Sequence, residues 1–371
     1  MARLGDVATY VNGLAFKPTD WSNEGLPIIR IQDLTGNSYQ ANCYNGTYHP
    51  KYEVNDGDVL ISWSASLGVY VWHGEKAVLN QHIFKVVFNK AEVDKNFFVH
   101  QVQNILENAA SQAHGATMKH LTKPVFDALP FYLPSIKTQK EIAFVLDNVS
   151  ELIALRKEQL AKLDQLVKSR FIELFGDCLT NPKRWKTKYL ENIAEVGSSK
   201  RVFVEELRDE GIPFYRGTEV GALAEGKKIV PELFITEEHY AELCAATGAP
   251  QSGDLLMPSI CPDGRIWVVN TDEPFYFKDG RVLWVHNIDA SYNPVFLLYT
   301  LKDRIMTDYS SIASGTTFAE LKIFALKKCR IFDVPLAIQN EFATFIEQTD
   351  KSKFDNWVWS HQFRIARTIL M

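Results

Sequence analysis

The amino-acid sequence predicts an α+β protein with two similar globular domains of mixed α/β structure, joined by two long antiparallel helices that form a coiled-coil stalk. Three observations predict this class: an uninterrupted helical pattern near the middle of the chain, an internal repeat, and strand-like segments in each copy. The 371 residues are enough for two or three domains. The repeat predicts a pseudo-two-fold arrangement of the two copies.

The central helical pattern covers residues 133–177, with no proline after Pro134 and no glycine before Gly176. A helix of about 40 residues is a rod of roughly 60 Å, longer than the usual globular helix. Its apolar residues recur at alternating steps of four and three, which is typical of a coiled-coil seam. The predicted seam consists of Ile142, Leu146, Val149, Ile153, Leu160, Leu163, Val167 and Leu174, with Arg156 and Arg170 at the two remaining places.

Further apolar residues make the stripe on this helix wider than a two-stranded coil needs. They are Val145, Leu152, Leu155, Leu166 and Phe171. We expect this excess to pack on the globular domains or on another protein.

Five segments of the first half recur in the same order in the second half. The pairs are RLGDVATY (3–10) with YLENIAEV (189–196), EGLPIIR (24–30) with EGIPFYR (210–216), DGDVLIS (56–62) with SGDLLMP (252–258), HGATMKHL (114–121) with SGTTFAEL (314–321), and TQKEIAFVLD (138–147) with IQNEFATFIE (338–347). Because the order is kept, the chain is interpreted as two copies of one unit, each a globule followed by a long helix.

Each copy contains the same series of predicted elements. In the first copy, strands are predicted within 24–34, with Ile29 and Ile31 as its apolar residues, and within 56–64, 67–74 and 82–90. A helix follows at 95–110, then a glycine turn, a short helix and a strand within 115–129. The second copy predicts strands within 211–217, 253–259, 265–270 and 281–287 and a helix at 294–311. The sheets should be mainly antiparallel.

The second copy also supplies a partner for the central helix, within residues 338–371. Phe342, Phe345 and Ile346 begin an apolar pattern that slips in register near 349–353 and continues at Phe354 and Trp357. Paired antiparallel, the two helices would fix the distance between the globules. The alternative is a dimerisation coil without a spacing role.

Composition and motifs narrow the function classes. The chain has 46% hydrophobic residues, a net charge of −5 and five cysteines without a CxxC pair, so neither a zinc site nor a disulfide framework is indicated. No P-loop, GxGxxG, GxSxG or HExxH motif occurs, which argues against an enzyme. We expect a cytoplasmic protein without a membrane span or signal peptide. The acidic charge argues mildly against a free-standing DNA-binding protein, but not against one with two small basic patches.

The segments that lead into the two long helices carry a family resemblance. They are GATMKHLTKPVFDALPFYLPSIKTQKEI (115–142) and GTTFAELKIFALKKCRIFDVPLAIQNEF (315–342), and the central helix ends in SRFIELFGD. The chain resembles the specificity subunit of type I restriction–modification systems over essentially its whole length. The second copy departs from the first by having one residue fewer between the proline and the glutamine.

This resemblance implies a domain order and a function. Residues 1–134 would form the first target-recognition domain, 135–177 the central helix, 178–334 the second target-recognition domain and 335–371 the distal helix. Each domain would bind one half of a bipartite double-stranded DNA sequence, and the helices would set the unspecified spacer. The helices would also bind two methyltransferase subunits, which carry S-adenosylmethionine, and through them the restriction subunits. The chain itself would bind no cofactor or metal and have no catalytic site.

Candidate DNA contacts divide into phosphate anchors and base readers, because phosphate contacts position a protein and base contacts specify the sequence. In the first copy the candidates are Lys17, Arg30, Lys119 and Lys123 for phosphates and Gln32, Asp33, Trp63, Ser64 and Ser66 for bases. In the second copy they are Ser199, Lys200, Arg201, Arg216, Ser259, Asp263 and Arg265, the last of which could bind guanine in a bidentate manner. The candidate helix interface consists of Ile142, Leu146, Val149, Ile153, Leu160, Leu163 and Val167 of the central helix and Phe342, Ile346 and Trp357 of the distal helix.

Structural interpretations compete with several of these assignments. Arg30 and Arg216 recur in both copies although two half-sites normally differ, which favours a phosphate contact or a structural ion pair over base readout. Trp63 is more often a sheet aromatic than a base-stacking residue. A second function class, a two-headed scaffold that binds proteins rather than DNA, also fits the acidic charge. Salt dependence separates the two classes, since DNA affinity falls steeply with salt.

Overall fold

The computed structural model describes residues 1–37, 42–112, 122–315 and 319–352, with the side chains of 110–112 excluded. The candidates Lys119 and Trp357, and the predicted glycine turn near residue 115, lie outside these ranges. The chain divides into two compact units, the first containing Met1–Glu158 and the second beginning at Gln159.

The first unit combines two four-stranded sheets with a two-stranded ribbon. Its strands are β1 (Ala2–Arg3), β2 (Thr9–Asn12), β3 (Leu26–Ile29), β4 (Cys43–Tyr44), β5 (Glu53–Val54), β6 (Val59–Ser62), β7 (Gly68–Val71), β8 (Ala77–Leu79), β9 (Ile83–Val87) and β10 (Pro130–Phe131). Its helices are α1 (Leu4–Val7), α2 (Ile31–Leu34), α3 (Lys95–Gln112), α4 (Lys123–Asp127) and α5 (Ile136–Phe175), the last of which continues into the second unit. The strand orders are β2-β9-β6-β7, β4-β3-β8-β5 and β1-β10.

The second unit repeats this architecture. Its strands are β11 (Thr187–Tyr189), β12 (Glu195–Gly197), β13 (Ile212–Tyr215), β14 (Phe234–Ile235), β15 (Leu255–Pro258), β16 (Trp267–Val268), β17 (Tyr276–Phe277), β18 (Val282–His286), β19 (Ala313–Ser314), β20 (Glu320–Leu321) and β21 (Arg330–Phe332). Its helices are α6 (Gly217–Ala224), α7 (Glu237–Thr247), α8 (Pro294–Ile312), α9 (Ile323–Lys327) and α10 (336–352).

The sheet topology confirms the internal repeat and the mainly antiparallel pairing. The second unit has the strand orders β12-β18-β15-β16, β14-β13-β17, β11-β21 and β19-β20. The first and third of these match β2-β9-β6-β7 and β1-β10 of the first unit, and β14-β13-β17 matches β4-β3-β8 without a counterpart of β5. Each unit contains one parallel pair, β3 with β8 and β13 with β17. The remaining described pairs of named strands are antiparallel.

One predicted strand is wrong in its second half. The strand expected to include Ile31 ends at Ile29, and the helical turn α2 begins at Ile31. The cause is local: the Asp33 carboxylate accepts a hydrogen bond from the Arg30 backbone N–H at 2.8 Å, which closes the turn. Strand β8, at Ala77–Leu79, was not predicted, because three apolar residues are too few to show a period.

A buried glutamine fixes the start of each long helix. Gln139 is almost fully buried, and its Oε1 accepts a hydrogen bond from the Asp94 N–H at 2.8 Å. Its Nε2 donates to the carbonyl oxygens of Glu92 at 3.3 Å and Pro134 at 2.9 Å. All three partners are backbone groups, so the amide joins the start of α5 to the segment that precedes α3.

Gln339 makes the same three kinds of contact in the second unit. Its Oε1 accepts from the Asn293 N–H at 2.8 Å, and its Nε2 donates to Ser291 O at 3.0 Å and Val334 O at 2.9 Å. Gln339 is fully buried. The two joints are therefore equivalent although one residue fewer separates proline from glutamine in the second.

Helix α5 confirms the predicted long central helix. It ends at Phe175, and Gly176 follows with a φ of +85°, a conformation that favours glycine. The predicted seam residues are buried or half-buried: Leu146, Val149 and Val167 are buried, and Ile142, Ile153, Leu160, Leu163 and Leu174 are half-buried. Of the excess apolar residues, Phe171 is buried in the second unit, and the others are exposed, namely Val145, Leu152, Leu155 and Leu166.

The end of α5 packs against the beginning of α10 within the second unit. Phe342 is fully buried, with its ring 5.5 Å from that of Phe171 and 5.6 Å from that of Phe175. An ion pair joins Arg170 Nη2 to Glu341 Oε1 at 2.5 Å. Ile346, the other described distal-helix candidate, is buried in the same core.

A tyrosine of α8, Tyr299, packs against α10. Its ring lies 5.2 Å from that of Phe342, in an edge-to-face arrangement. Burial raises the pKa of Tyr299, and the carboxylates of Asp350 and Asp164 raise it further.

Candidate nucleic-acid interface

The two arginines shared by the repeats form ion pairs inside their own units. Arg30 Nε lies 3.1 Å from Asp33 Oδ2, and both side chains are largely buried. Arg216 Nη2 lies 2.5 Å from Glu219 and 3.0 Å from Glu232. Burial opposes the charge of Glu219, yet hydrogen bonds from Arg216 and its neighbours lower the pKa of that carboxyl to about 2. The geometry favours a structural role for both arginines and for Asp33.

The 62–66 loop of the first unit is partly built into its sheet. The Trp63 ring is stacked 5.6 Å from that of Phe84, and its Nε1 donates to Asn12 Oδ1 at 3.2 Å. Ser64 is buried, whereas Ser66 is exposed. These contacts favour the interpretation of Trp63 as a sheet aromatic and leave Ser66 as the more accessible of the two serines. Gln32 is half-buried on α2.

In the second unit, both backbone groups of Ser259 fix the start of the corresponding 259–265 loop. Ser259 is buried, its N–H donates to Arg281 O at 2.9 Å, and its carbonyl accepts from Leu321 N at 2.7 Å. Arg265 Nε lies 2.8 Å from Asp263 Oδ2, and both side chains are accessible in part. Bidentate binding of guanine by Arg265 would compete with this ion pair.

The loop that follows β12 presents two exposed cations. The Ser199 hydroxyl donates to Phe277 O at 2.6 Å, so its role is to hold the loop on β17. Lys200 is exposed. Arg201 has a side chain that is 69% exposed, with Nε 3.2 Å from Asp279 Oδ2. This loop is the best-exposed basic site among the second unit's described candidates.

The first unit offers fewer accessible cations at the predicted positions. Lys17 is exposed beside the 3₁₀ turn Pro18–Asp20. Lys123 Nζ lies 2.7 Å from Asp127 Oδ2 on α4, which reduces its availability to a phosphate. The structure therefore brings the exposed cations to loops that are equivalent in the two units, around Lys17 and around Lys200.

The described residues offer little that suggests bound metal or nucleophilic chemistry. Among them, no three His, Cys, Asp or Glu side chains form a group that could hold a metal ion. Burial raises the pKa of Cys261 to about 12 and that of Cys329 to about 11, so both thiols are protonated at neutral pH. In the same part of the chain, no helix combines the length and apolarity needed to span a membrane.

Comparison with known proteins decides the family. A model described as the type I restriction modification DNA specificity domain matches the chain twice, over residues 1–165 and 182–356. The chain belongs to this family. The two matches fall on the two copies of the repeat, and the predicted resemblance is confirmed.

Relatives and solved structures agree with this assignment. The type I restriction enzyme EcoBI specificity subunit of Escherichia coli is 30% identical over 168 residues, which cover 44% of this chain and only 35% of that protein. A putative type I restriction enzyme specificity subunit of Haemophilus influenzae is 27% identical over 93% of this chain and 86% of its own length. The crystal structure of a type I restriction–modification S subunit from M. genitalium has a TM-score of 0.56 at 13% identity, over 99% of this chain and 93% of that chain, which shows a common fold.

Membership of the specificity-domain family assigns this chain a role in DNA sequence specificity. Its two family domains account for the α+β fold of the two units. The two-headed protein scaffold is not favoured, since the relatives are named as specificity subunits.

Proposed function

We propose that the chain is the specificity subunit of a type I restriction–modification complex and that each unit binds one half of a bipartite DNA sequence. The observation that carries the proposal is the double family match on two units that share a fold. The matched loops differ in sequence, SWSAS at 62–66 against PSICPDGR at 258–265, as readers of different half-sites require.

Phosphate contacts and base contacts would come from different parts of each unit. Lys17, Lys200 and Arg201 are exposed cations that suit phosphates. Ser66 in the first unit, and Asp263 and Arg265 in the second once their mutual ion pair opens, are the accessible polar groups for base edges. Because Arg30 and Arg216 are engaged in ion pairs, they would support the sites rather than contact bases.

The long helices would act as the spacer between half-sites. Helix α5 extends over 40 residues without interruption, and at a rise of about 1.5 Å per residue its length is roughly 60 Å. Its end packs against α10 through Phe171, Phe342 and the Arg170–Glu341 ion pair. These contacts support the proposal that the two helices pair antiparallel and form a stalk.

The exposed apolar residues of α5 would bind the methyltransferase subunits. Val145, Leu152 and Leu166 are each about 40–50% exposed and stand at heptad spacing or a multiple of it, with Phe144 and Leu155 beside them. An apolar stripe of this kind suits partner helices. Two methyltransferase subunits, carrying S-adenosylmethionine, and restriction subunits bound through them would supply the chemistry of the complex, and this chain would select the sequence.

Methylome sequencing of a host with and without this chain, co-expressed with its methyltransferase, tests the proposed function. A bipartite, gapped methylated motif that disappears with the chain is the expected result. Absence of any gapped motif, with the methyltransferase present and soluble, contradicts the proposal.

Insertion of one heptad after Lys162 tests the spacing role of α5. The insertion keeps the seam in register and lengthens the helix by about 10 Å. We expect the methylated motif to keep both half-sites and to gain a longer spacer. The same seven residues inserted after Lys228, which is in an exposed loop, are the control and should leave the spacer unchanged. Altered half-sites with an unaltered spacer would show that the helix does not set the distance.

A further inference from the structure

The second unit carries an exposed apolar pair, Phe203 and Val204, in the loop between β12 and β13. Phe203 is 53% exposed and Val204 is 78% exposed. Val202, immediately before them, is buried in a cluster with Phe214 and other residues of β13, β14 and α7. The loop is therefore anchored by one apolar side chain while the next two face solvent.

The backbone on both sides of Phe203 is fixed. The Ser198 hydroxyl donates to Val282 O at 2.7 Å, and the Ser199 hydroxyl donates to Phe277 O of β17. On the other side, the Phe203 N–H donates to Glu206 Oε2 at 2.7 Å and begins the 3₁₀ turn Val204–Glu206. A side chain on so constrained a loop loses little conformational freedom when it binds.

The charges of this loop are divided between its two sides. Lys200 and Arg201 precede the apolar pair and are exposed. Glu205 and Glu206 follow it, and the Glu206 carboxylate is turned to the Phe203 N–H. Attraction by phosphates would therefore draw the amino-terminal side of the loop to the DNA backbone, with Phe203 next to the base pairs.

The first unit has a cation at the same position. Lys17 N–H donates to Asp20 Oδ2 at 2.7 Å and begins the 3₁₀ turn Pro18–Asp20, as Phe203 does with Glu206. The separation of 186 residues is the offset of the neighbouring repeat segments. The same turn thus presents an ammonium group in one unit and an aromatic ring in the other.

We propose that Phe203 inserts between two base pairs in or beside the half-site of the second unit and bends the DNA there, while Lys200 and Arg201 hold the adjacent phosphates. The proposal depends on the DNA-binding function of this unit. Apolar wedges of this type unstack one base step and kink a duplex by about 20–90°. Since pyrimidine–purine steps unstack most easily, the insertion would favour such a step at a position that no hydrogen bond specifies.

The test uses the full chain assembled with its methyltransferase subunits and a duplex that contains the methylated motif. One measurement is the end-to-end distance of the duplex by fluorescence energy transfer, and the other is 2-aminopurine fluorescence at successive positions across the second half-site. We expect the wild-type complex to shorten the distance and to raise 2-aminopurine fluorescence at one step. Phe203→Ala should abolish both signals and lower affinity about tenfold, and Phe203→Leu should restore them in part.

Val230→Ala is the matched control, because Val230 is also a highly exposed apolar residue of the second unit. It should leave both signals unchanged. If the wild-type complex binds the motif but Phe203→Ala leaves distance and fluorescence unaltered, the wedge is overturned and the proposed function stands. If Phe203→Ala instead prevents assembly with the methyltransferase, Phe203 is a protein contact and the inference is wrong. Failure of the wild-type complex to bind the motif would overturn the proposed function itself.

Discussion

The central sheets of the two units place an aspartate at the same turn but give it different partners. In the first unit, Asp58 Oδ2 accepts from the Asn55 N–H at 2.8 Å and lies 3.0 Å from Lys85 Nζ. Lys85 stands opposite Leu60 in the strand register. The charged carboxylate is therefore balanced by a cation of its own sheet.

In the second unit, Trp284 stands at the position that corresponds to Lys85. Asp254 Oδ2 accepts from the Gln251 N–H and from Trp284 Nε1, both at 2.9 Å, and Trp284 stands opposite Leu256 in the register. Burial raises the pKa of Asp254 above its ordinary 3.8, although these hydrogen bonds and His286 oppose the shift. The two units therefore share the turn and the strand register but differ in how the aspartate's charge is balanced.

The largest expected difference between the units concerns the first turns of their long helices. Phe342 is fully buried among aromatic rings, whereas its counterpart Ile142 is half-buried. Phe342→Ala should lower the free energy of unfolding of the second unit by about 3–5 kcal/mol. Ile142→Ala should cost the first unit about 1–2 kcal/mol, because that side chain is only partly buried at the edge of its core. Hydrogen exchange resolved by peptide measures each unit separately.

Phe324→Ala is the control for this pair, since Phe324 is a strongly exposed phenylalanine of the same unit. It should change the free energy of unfolding measured by hydrogen exchange by less than about 0.5 kcal/mol. Equal losses from Phe342→Ala and Ile142→Ala would contradict the packing difference between the two helix starts.

A smaller difference should distinguish the two aspartates. Asp58→Asn removes the charged partner of Lys85 and should destabilise the first unit by about 2 kcal/mol. Asp254→Asn keeps an oxygen that accepts both hydrogen bonds and removes a buried charge, so stability at pH 7 should be retained or rise. Urea unfolding with a probe in each unit measures both changes.

The pH dependence of the second unit gives an independent check. Because the pKa of Asp254 is higher in the folded protein than in the unfolded chain, the folded state retains this proton longer as pH rises. The contribution of Asp254 to stability therefore falls as pH rises from about 3.8 through the folded pKa. Asp254→Asn should remove this dependence of stability on pH. If the dependence is unchanged in the variant, another group causes it.

The smallest expected effect concerns the exposed cations. Lys200→Gln and Lys17→Gln should each reduce the slope of log affinity against log salt by about 0.9, if each ammonium contacts one phosphate. Lys123→Gln should change the slope less, because Lys123 is paired with Asp127. Binding assays of the assembled complex at several salt concentrations measure these slopes. A larger change from Lys123→Gln than from Lys200→Gln would reverse the assignment of phosphate contacts.

Sequence patterns predicted the backbone better than the side-chain environments. The 40-residue helix has strong periodicity, and the repeat supports the weaker strands that are predicted in both copies. The turn at α2 was missed because it depends on an Arg30–Asp33 pair three residues apart, which overrides the apolar alternation of Ile29 and Ile31.

The candidate site was harder to predict, because the availability of a polar side chain to DNA depends on partners that are distant in the sequence. Nothing near Arg216 in the sequence shows that Glu232 lies 3.0 Å from it. Phe203 is an apolar residue in a basic segment, and only its exposure distinguishes it from the buried Val202. Its signal in the sequence is the repeat offset of 186 residues, which places Phe203 opposite Lys17.

The glutamine joints have a consequence for how genes of this kind change. Every partner of Gln139 and Gln339 is a backbone amide or carbonyl, so the joint places few demands on the neighbouring side chains. A recombination event that exchanges the coding segment of one globular unit at this boundary would keep the same three hydrogen bonds. A new combination of units would then need no compensating mutation at the glutamine joint.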